Sequence, residues 1–522
     1  EQSVRATSPP ENVIDGFTLE DSEIAYMDSL AIRLIDWWEN SAAADSFTRP
    51  GVLNTVIRNN EMHHLGFRTD GDNAVGMSFT HANKLRFEGN YVHHVAHNGV
   101  QFSKSVIQSS KTYGFTPGEI KTGEILIKDN VFEKACQLTT DCGGLKFWGS
   151  APDGHVFRDV LITGNVFRDS VGWTYISEQR GRWSGGEGSE VQGMGAFGLY
   201  VDHASGIYAY RNVAYNNAYT GYVFSGRWRD GQMVYVNNVA ANSLYGFGLG
   251  GSQYDTHGSV DTRVINNIVV NNEAFGVAIE YVEGRTANMT VDHNLYYDNG
   301  WGGMWHAGPM VVRQRSSSGL SWEPQQTLAD VHANTPWEDH GVAGDPAFYD
   351  YNPADHDMHD GSWPDFHLTS ASTNAIDGGT VQLPASLATL LDTFDVDDYT
   401  WGAAIDIGRY EVGFAVIPAP VSQSIEAGGT AYYALALYPP DLPHTVTLTL
   451  SSPPAGLTYA LNSSVITQGS VVTLTITHDG SQAGLDAWHT ISITGDGGGF
   501  TQMADASLLV GGERVYLPII SR

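Results

Sequence analysis

Polar and apolar residues alternate with period two in short runs that each begin at a glycine. Aligned on that glycine, seven runs share one register: Gly76-Met-Ser-Phe-Thr, Gly99-Val-Gln-Phe-Ser, Gly144-Leu-Lys-Phe-Trp, Gly198-Leu-Tyr-Val-Asp, Gly221-Tyr-Val-Phe-Ser, Gly246-Phe-Gly-Leu-Gly and Gly276-Val-Ala-Ile-Glu. The second and fourth residues are apolar and are predicted to face a core, the third and fifth to face solvent. A second apolar stretch in each unit follows an asparagine: Asn60, Asn90, Asn130, Asn165, Asn212, Asn238, Asn267 and Asn294. Over residues 198–294 these recur at the period expected when each repeat is one supersecondary unit. Asparagine tolerates the left-handed conformation and its amide can bond neighbouring backbone, so a stack of buried turn amides is predicted. No helical pattern of useful length interrupts the units, which argues against a βαβ architecture. The pattern predicts a solenoid of β-rungs.

On these residues the chain resembles the right-handed parallel β-helix family, the fold of pectate lyases and many glycosidases, over residues 13–411. The resemblance implies an all-β chain, with the β-helix over 13–306 and its closing segment over 307–414. The run from Asp345 to Glu411 (DPAF, DFHL, NAIDGG, DVDD, AAIDIGRYE) resembles the terminal segment of many bacterial β-helix proteins. Residues 1–12 read as an N-terminal tail, and Ser22 stands where the first rung would carry its asparagine. A Pro/Ala linker at Val416 introduces residues 415–522, where TVTLTL from Thr445, VVTLTI from Val471 and WHTISITG from Trp488 predict a small Ig-like β-sandwich and a C-terminal tail. Long insertions at 37–54, 104–123, 149–157 and 174–196 are predicted to gather on one face and to carry function.

Charge narrows the partners. The 522 residues carry a formal net charge of −31, which argues against nucleic acid and anionic membranes. Every lysine nevertheless lies between Lys84 and Lys146, either a solvated edge of the early rungs or a face for an acidic ligand. No apolar run is long enough to span a bilayer. The start at Glu1-Gln2-Ser3, without a leader, reads as the mature or trimmed form of an exported bacterial protein, secreted or at the cell surface. Cys136 and Cys142 sit six apart, and a local disulfide suits that compartment, with two free core thiols as the alternative.

The candidate chemistry begins at Asp141-Cys142-Gly143-Gly144-Leu145-Lys146-Phe147-Trp148-Gly149 and Gly198-Leu199-Tyr200-Val201-Asp202. These resemble an Asp-x-Gly-Gly-(aliphatic)-x-x-x-Gly segment and a Gly-x-Tyr-x-Asp segment of β-helix glycosidases, in which outward acidic residues act; Lys146 and Phe147 depart from the usual smaller or tyrosyl residues. The register turns Asp202 outward and sets Asp141 at the turn entering the same sheet, one rung or two away. Rungs stand about 4.8 Å apart, so carboxylates one rung apart approach the roughly 5 Å of a retaining glycosidase. Asp141 and Asp202 are the expected catalytic pair; their bland alternative is a turn cap and a structural hydrogen bond. Beyond Asp202 the outward positions shrink to Ser225, Gly226, Gly248, Gly250 and Gly251, predicting a trough. Lys146, Trp148, Arg227, Trp228, Tyr254, His257 and Glu280 are the expected substrate contacts, aromatic rings for sugar faces and arginine for a carboxylate.

Three functions follow, in order. The first is a secreted carbohydrate-active protein, a glycoside hydrolase acting on a polysaccharide or oligosaccharide without a cofactor. The second is a non-catalytic assembly protein that forms homo-oligomers or filaments through an uncapped first rung. The third is a polysaccharide lyase with Lys146 as base. Asp70-Gly71-Asp72-Asn73 and the group Asp355, His356, Asp357, His359 and Asp360 carry oxygen ligands that suit Ca²⁺ but lack a complete loop spacing. The pairs His63-His64 and His93-His94, with His97, follow the asparagines of successive rungs, but no third ligand at a defined spacing signals zinc. Asn288 and Asn462 head glycosylation sequons.

Overall fold

The computed structural model describes residues 4–8, 14–36, 52–67, 74–80, 82–103, 124–139, 141–148, 157–172, 195–202, 204–225, 232–250, 261–281, 289–300, 308–316, 319–352, 364–369, 371–380, 382–396, 405–410, 415–438, 445–467, 469–485, 487–497 and 500–511. Residues 1–411 and 412–522 form two separate units.

In the first unit three long sheets run side by side: sheet 1 of eleven strands, sheet 2 of ten, which includes Glu61–Leu65 and Tyr91–Val95, and sheet 3 of ten, which includes Ile125–Lys128 and Val160–Thr163. Each rung gives one strand to each sheet and pairs in parallel with the rung before and after it. The chain visits sheet 1 at Met77–Thr80, Val100–Ser103, Cys142–Trp148, Ala196–Asp202, Thr220–Ser225, Tyr245–Gly250 and Phe275–Tyr281, the seven glycine-led runs of the sequence. Their second and fourth residues lie in the core, as the alternation predicts: Leu145 and Phe147, Leu199 and Val201, Tyr222 and Phe224. Like residues stack on like, with Phe79, Phe102 and Phe147 at centroid spacings of 5.1 and 5.0 Å. The leading glycines are required by close approach. A Cβ on Gly99 would lie 2.4 Å from the Gly144 carbonyl oxygen, and one on Gly246 2.6 Å from that of Gly276.

The asparagine column is a continuous ladder. From Asn60 to Asn267, each backbone N–H donates to the Oδ1 of the next rung's asparagine at 2.8–3.1 Å, and each Nδ2 donates to the same oxygen. Ser22 begins the column, its N–H bonded to Asn60 Oδ1. Glu338 ends it, accepting from Asn294 Nδ2 at 2.7 Å and from the Tyr296 hydroxyl at 2.5 Å. A second, shorter ladder through Asn217, Ser243, Asn272 and Asn299 was not read from the sequence.

Residues 4–8, within the stretch read as a tail, form a strand parallel to Ile32–Asp36 in sheet 1. At the other end, Gly308–Ser316 and Gly319–Gln325 make an antiparallel hairpin that finishes the sheet. The closing segment contributes the helix Ala385–Phe394, whose Leu387, Leu390, Leu391 and Phe394 bury the outer face of sheet 3 at Leu126, Leu161, Tyr208, Tyr210, Val234 and Val236. Cys136 and Cys142 form a disulfide. The second unit has a four-stranded and a five-stranded sheet, with Val416, Tyr433, Leu448, Leu474, Ile491 and Leu508 among its shared core, a β-sandwich. Among the described residues, no helix is long and apolar enough to cross a membrane.

Candidate active site

Asp141 and Asp202 lie on adjacent rungs of sheet 1, at opposite ends of paired strands. Cys142 is in register with Ala196 and Trp148 with Asp202, so Asp141 enters one strand while Asp202 leaves the next. Asp141 adopts the left-handed conformation, φ 59°, which a short polar side chain tolerates. The disulfide at the neighbouring Cys142 pins this turn. Although their backbones sit at opposite ends of the paired strands, both carboxylates reach Lys146, which lies between them.

Lys146 is in register with Tyr200, both outward at the third position of their runs. The Lys146 ammonium lies 3.4 Å from Asp141 Oδ2 and 3.5 Å from Asp202 Oδ2, which caps the separation of these two oxygens at about 7 Å. It also donates to the Asp141 carbonyl at 3.1 Å and sits 4.3 Å above the centre of the Tyr200 ring. The Tyr200 hydroxyl donates to Asp141 Oδ1 at 2.8 Å. Burial, then the charges of Asp202 and Asp141, push the Tyr200 phenol far above its ordinary range, so it serves as a proton-bearing donor. The side chains of Lys146 and Asp202 are 8% and 10% exposed, that of Asp141 64%; solvent therefore reaches the cluster from the Asp141 side. Gly143 makes room for it, since a Cβ there would stand 3.2 Å from Tyr200 Cβ.

Tyr200 belongs to the site but was not singled out in the sequence as a functional residue. Its signal was the outward third position of the run that ends in Asp202. From Lys146 and Tyr200 the outward row continues through Val223, Gly248 and Ala278, and the row of Asp202 through Ser225 and Gly250. Small residues thus floor a strip leading from the cluster toward the later rungs. Alongside runs an aromatic row that the sequence reading also missed: Phe197, Tyr219, Tyr245 and Phe275, at successive centroid spacings of 5.6, 5.4 and 6.0 Å. Trp148 flanks Asp202 in register and is half-buried. Glu280 stands in the strand three rungs beyond Asp202, paired with Arg313. Its side chain lies outside the described residues, as do Arg227, Trp228, Tyr254, His257 and the two acidic stretches at 70–73 and 355–360.

Two groups among the described residues bring histidine and carboxylate atoms together as metal ligands would: Glu61, His63 and His93, and Asp292, His293 and His340. In the second, His340 Nδ1 and His293 Nδ1 both approach Asp292 Oδ2, at 2.9 and 3.2 Å.

Residues 151–316 match the family model described as "Right handed beta helix region". Asp202 lies inside the matched segment; Asp141 and Lys146 precede it. No curated protein matches the chain. Among solved structures, the periplasmic alginate epimerase AlgG, crystallised as a point mutant, is similar at 13% identity and a TM-score of 0.30; the match covers 59% of this chain and 64% of that one. The ladder topology and the matched segment together make this chain a right-handed parallel β-helix followed by a β-sandwich.

Proposed function

We propose that the protein is a carbohydrate-active β-helix enzyme, a glycoside hydrolase that lays a neutral glycan along the outer face of sheet 1. The observation that carries this reading is the pair of outward carboxylates, Asp141 and Asp202, no more than about 7 Å apart beside a strip floored by small residues. That ceiling admits the separations of both retaining enzymes, about 5 Å, and inverting ones, from about 6.5 Å. Asp202, buried against Lys146, is the ionised partner that acts as nucleophile or base. Asp141, the exposed member of the pair, is the partner assigned to the leaving oxygen.

Charge supports a hydrolase over a lyase. By formal charge the cluster of one lysine and two aspartates is neutral while the acid holds its proton and one negative once it has given it up, on a chain of −31. A lyase needs a uronate, whose carboxylate this field repels, and Lys146 would have to break both ion pairs before taking a proton. Asp141→Asn and Asp202→Asn are each expected to cut reducing-end release from the substrate by about 100-fold or more, with unchanged circular dichroism. Near-normal turnover in both variants would refute the assignment.

One observation favours an assembly role as a second reading. Among the described residues, Val4–Ser8, Ile14–Asp15 and Glu23–Met27 end their sheets at the first rung, and such edges invite a further strand. Sedimentation at rising concentration tests it: a strictly monomeric boundary removes this reading.

A further inference from the structure

The histidine pairs on sheet 2 lie on a different sheet from the proposed active site and are independent of it. Strands Glu61–Leu65 and Tyr91–Val95 are neighbours, with His63 in register with His93. His64 and His94 each take the left-handed conformation, φ 54° and 53°, which turns both histidines of a pair to the same side of the strand. His63 Nδ1 lies 2.7 Å from His64 Nδ1, and one rung on His93 Nδ1 lies 2.6 Å from His94 Nδ1. The rings stack across the rungs, His63 on His93 and His64 on His94, each with centroids 4.8 Å apart. The other nitrogens of the inner rings are already committed: His63 Nε2 meets Glu23 Oε1 at 3.1 Å and His93 Nε2 meets Glu61 Oε1 at 3.2 Å.

These contacts fix the tautomers. A carboxylate accepts a hydrogen bond, so Nε2 of His63 and His93 carries the proton and Nδ1 keeps a bare lone pair. Both lone pairs point at a second imidazole nitrogen, in two successive rungs alike. A carboxylate behind a histidine whose other nitrogen faces a shared point is the outer arrangement of histidine metal sites, where it orients the ring and raises its basicity.

We propose that His63, His64, His93 and His94 form a transition-metal site that holds one ion per chain through four Nδ1 nitrogens. An all-imidazole donor set suits Cu²⁺, Ni²⁺ and Zn²⁺ and excludes Ca²⁺ and Mg²⁺. Shape then discriminates. With metal–nitrogen bonds of about 2.05 Å, adjacent ligands of a square plane stand about 2.9 Å apart and those of a tetrahedron about 3.3 Å. The spacings of 2.7 and 2.6 Å within each pair are nearer the square. Across the rungs the stacked rings stand 4.8 Å apart by centroid, so closing the square requires each ring to tilt by about 1 Å toward its neighbour. The site therefore prefers Cu²⁺, then Ni²⁺, over Zn²⁺.

The test is titration of the untagged full chain with Cu²⁺ alone, by calorimetry and electron paramagnetic resonance. The expected result is one equivalent bound, with hyperfine splitting from four nitrogens. His63→Ala/His93→Ala should lose that signal and about 100-fold or more in affinity while circular dichroism is unchanged. If that variant fails to fold, His64→Gln/His94→Gln, at the half-buried positions, reads the same loss. Glu61→Gln should weaken binding by about 10–100-fold without abolishing it, and His340→Ala should leave it intact. No bound copper, two ions at this cluster, or full binding in the histidine double variants would overturn the site and leave the short contacts as imidazole hydrogen bonds. Loss of binding in His340→Ala would overturn it in favour of the Asp292 group.

Discussion

Replacing Asn238 by alanine removes the middle of the amide ladder. Asn238 Nδ2 donates to the carbonyls of Ala209 and Val236 at 3.0 and 3.1 Å and to Asn267 Oδ1 at 3.0 Å, and Asn238 Oδ1 accepts from Asn212 N–H at 2.9 Å and Asn212 Nδ2 at 3.0 Å. The residue is fully buried, so water does not replace these partners. Stranding the Asn212 N–H costs about 2 kcal/mol, and the four further lost bonds about 0.5 kcal/mol each, a total of about 4 kcal/mol. Unfolding entropy of about 2 cal/mol/K per residue, taken over the 411-residue unit, is about 0.9 kcal/mol/K. The expected fall in Tm is therefore about 5 °C, measured by scanning calorimetry at one scan rate. Ser22→Ala is the matched control: it loses only the half-buried hydroxyl bond to the Glu20 carbonyl, and its Tm should fall by about 1 °C. A shift below about 1 °C in Asn238→Ala, or equal shifts in both variants, would refute the view that the ladder holds the rungs in register.

Two further outcomes follow from the same structure. Lys146→Met removes the ammonium that stands 3.4 and 3.5 Å from Asp141 and Asp202 and leaves their mutual repulsion unopposed, a change of about 1–2 kcal/mol once the exposure of Asp141 is counted. The pH profile of kcat/KM should move up by about one unit, and an unmoved profile would show that Lys146 does not govern the pair. Glu338, at the end of the ladder, is pushed up by burial to about 7. The folded state then binds more protons than the unfolded one between about pH 4.5 and 7, so stability falls as pH rises through that window. Glu338→Gln should flatten this dependence, and a variant whose Tm follows pH as the wild type does would disprove it.

The solenoid was legible because its constraints recur at fixed positions. Only glycine fits where the next rung's carbonyl stands 2.4 Å from a Cβ, and only a side chain with both a donor and an acceptor continues the ladder, so composition at those positions reports geometry directly. The second ladder was missed because Ser243 interrupts its asparagines. The helix over sheet 3 had an unread signal: Ile125-Leu126-Ile127 and Val160-Leu161-Ile162 are apolar on both faces, as strands covered on both sides are. At the site, the insert between Trp148 and Ala196 hid the rung count from Asp141 to Asp202, and a residue whose side chain reaches along the sheet, Lys146, links carboxylates that strand register alone sets far apart. Tyr200, outward in the Gly-x-Tyr-x-Asp segment, was given no role because that role depends on a hydrogen bond to Asp141, 59 residues away.

The most direct measurement is product analysis on matched panels of neutral polysaccharides and polyuronates, recording reducing ends and ultraviolet absorbance together for the wild type and Asp202→Asn. The account predicts new reducing ends from a neutral glycan, no unsaturated product, and loss of both binding-strip turnover and reducing ends in the variant. Unsaturated product from a polyuronate, or hydrolysis undiminished in Asp202→Asn, would contradict it.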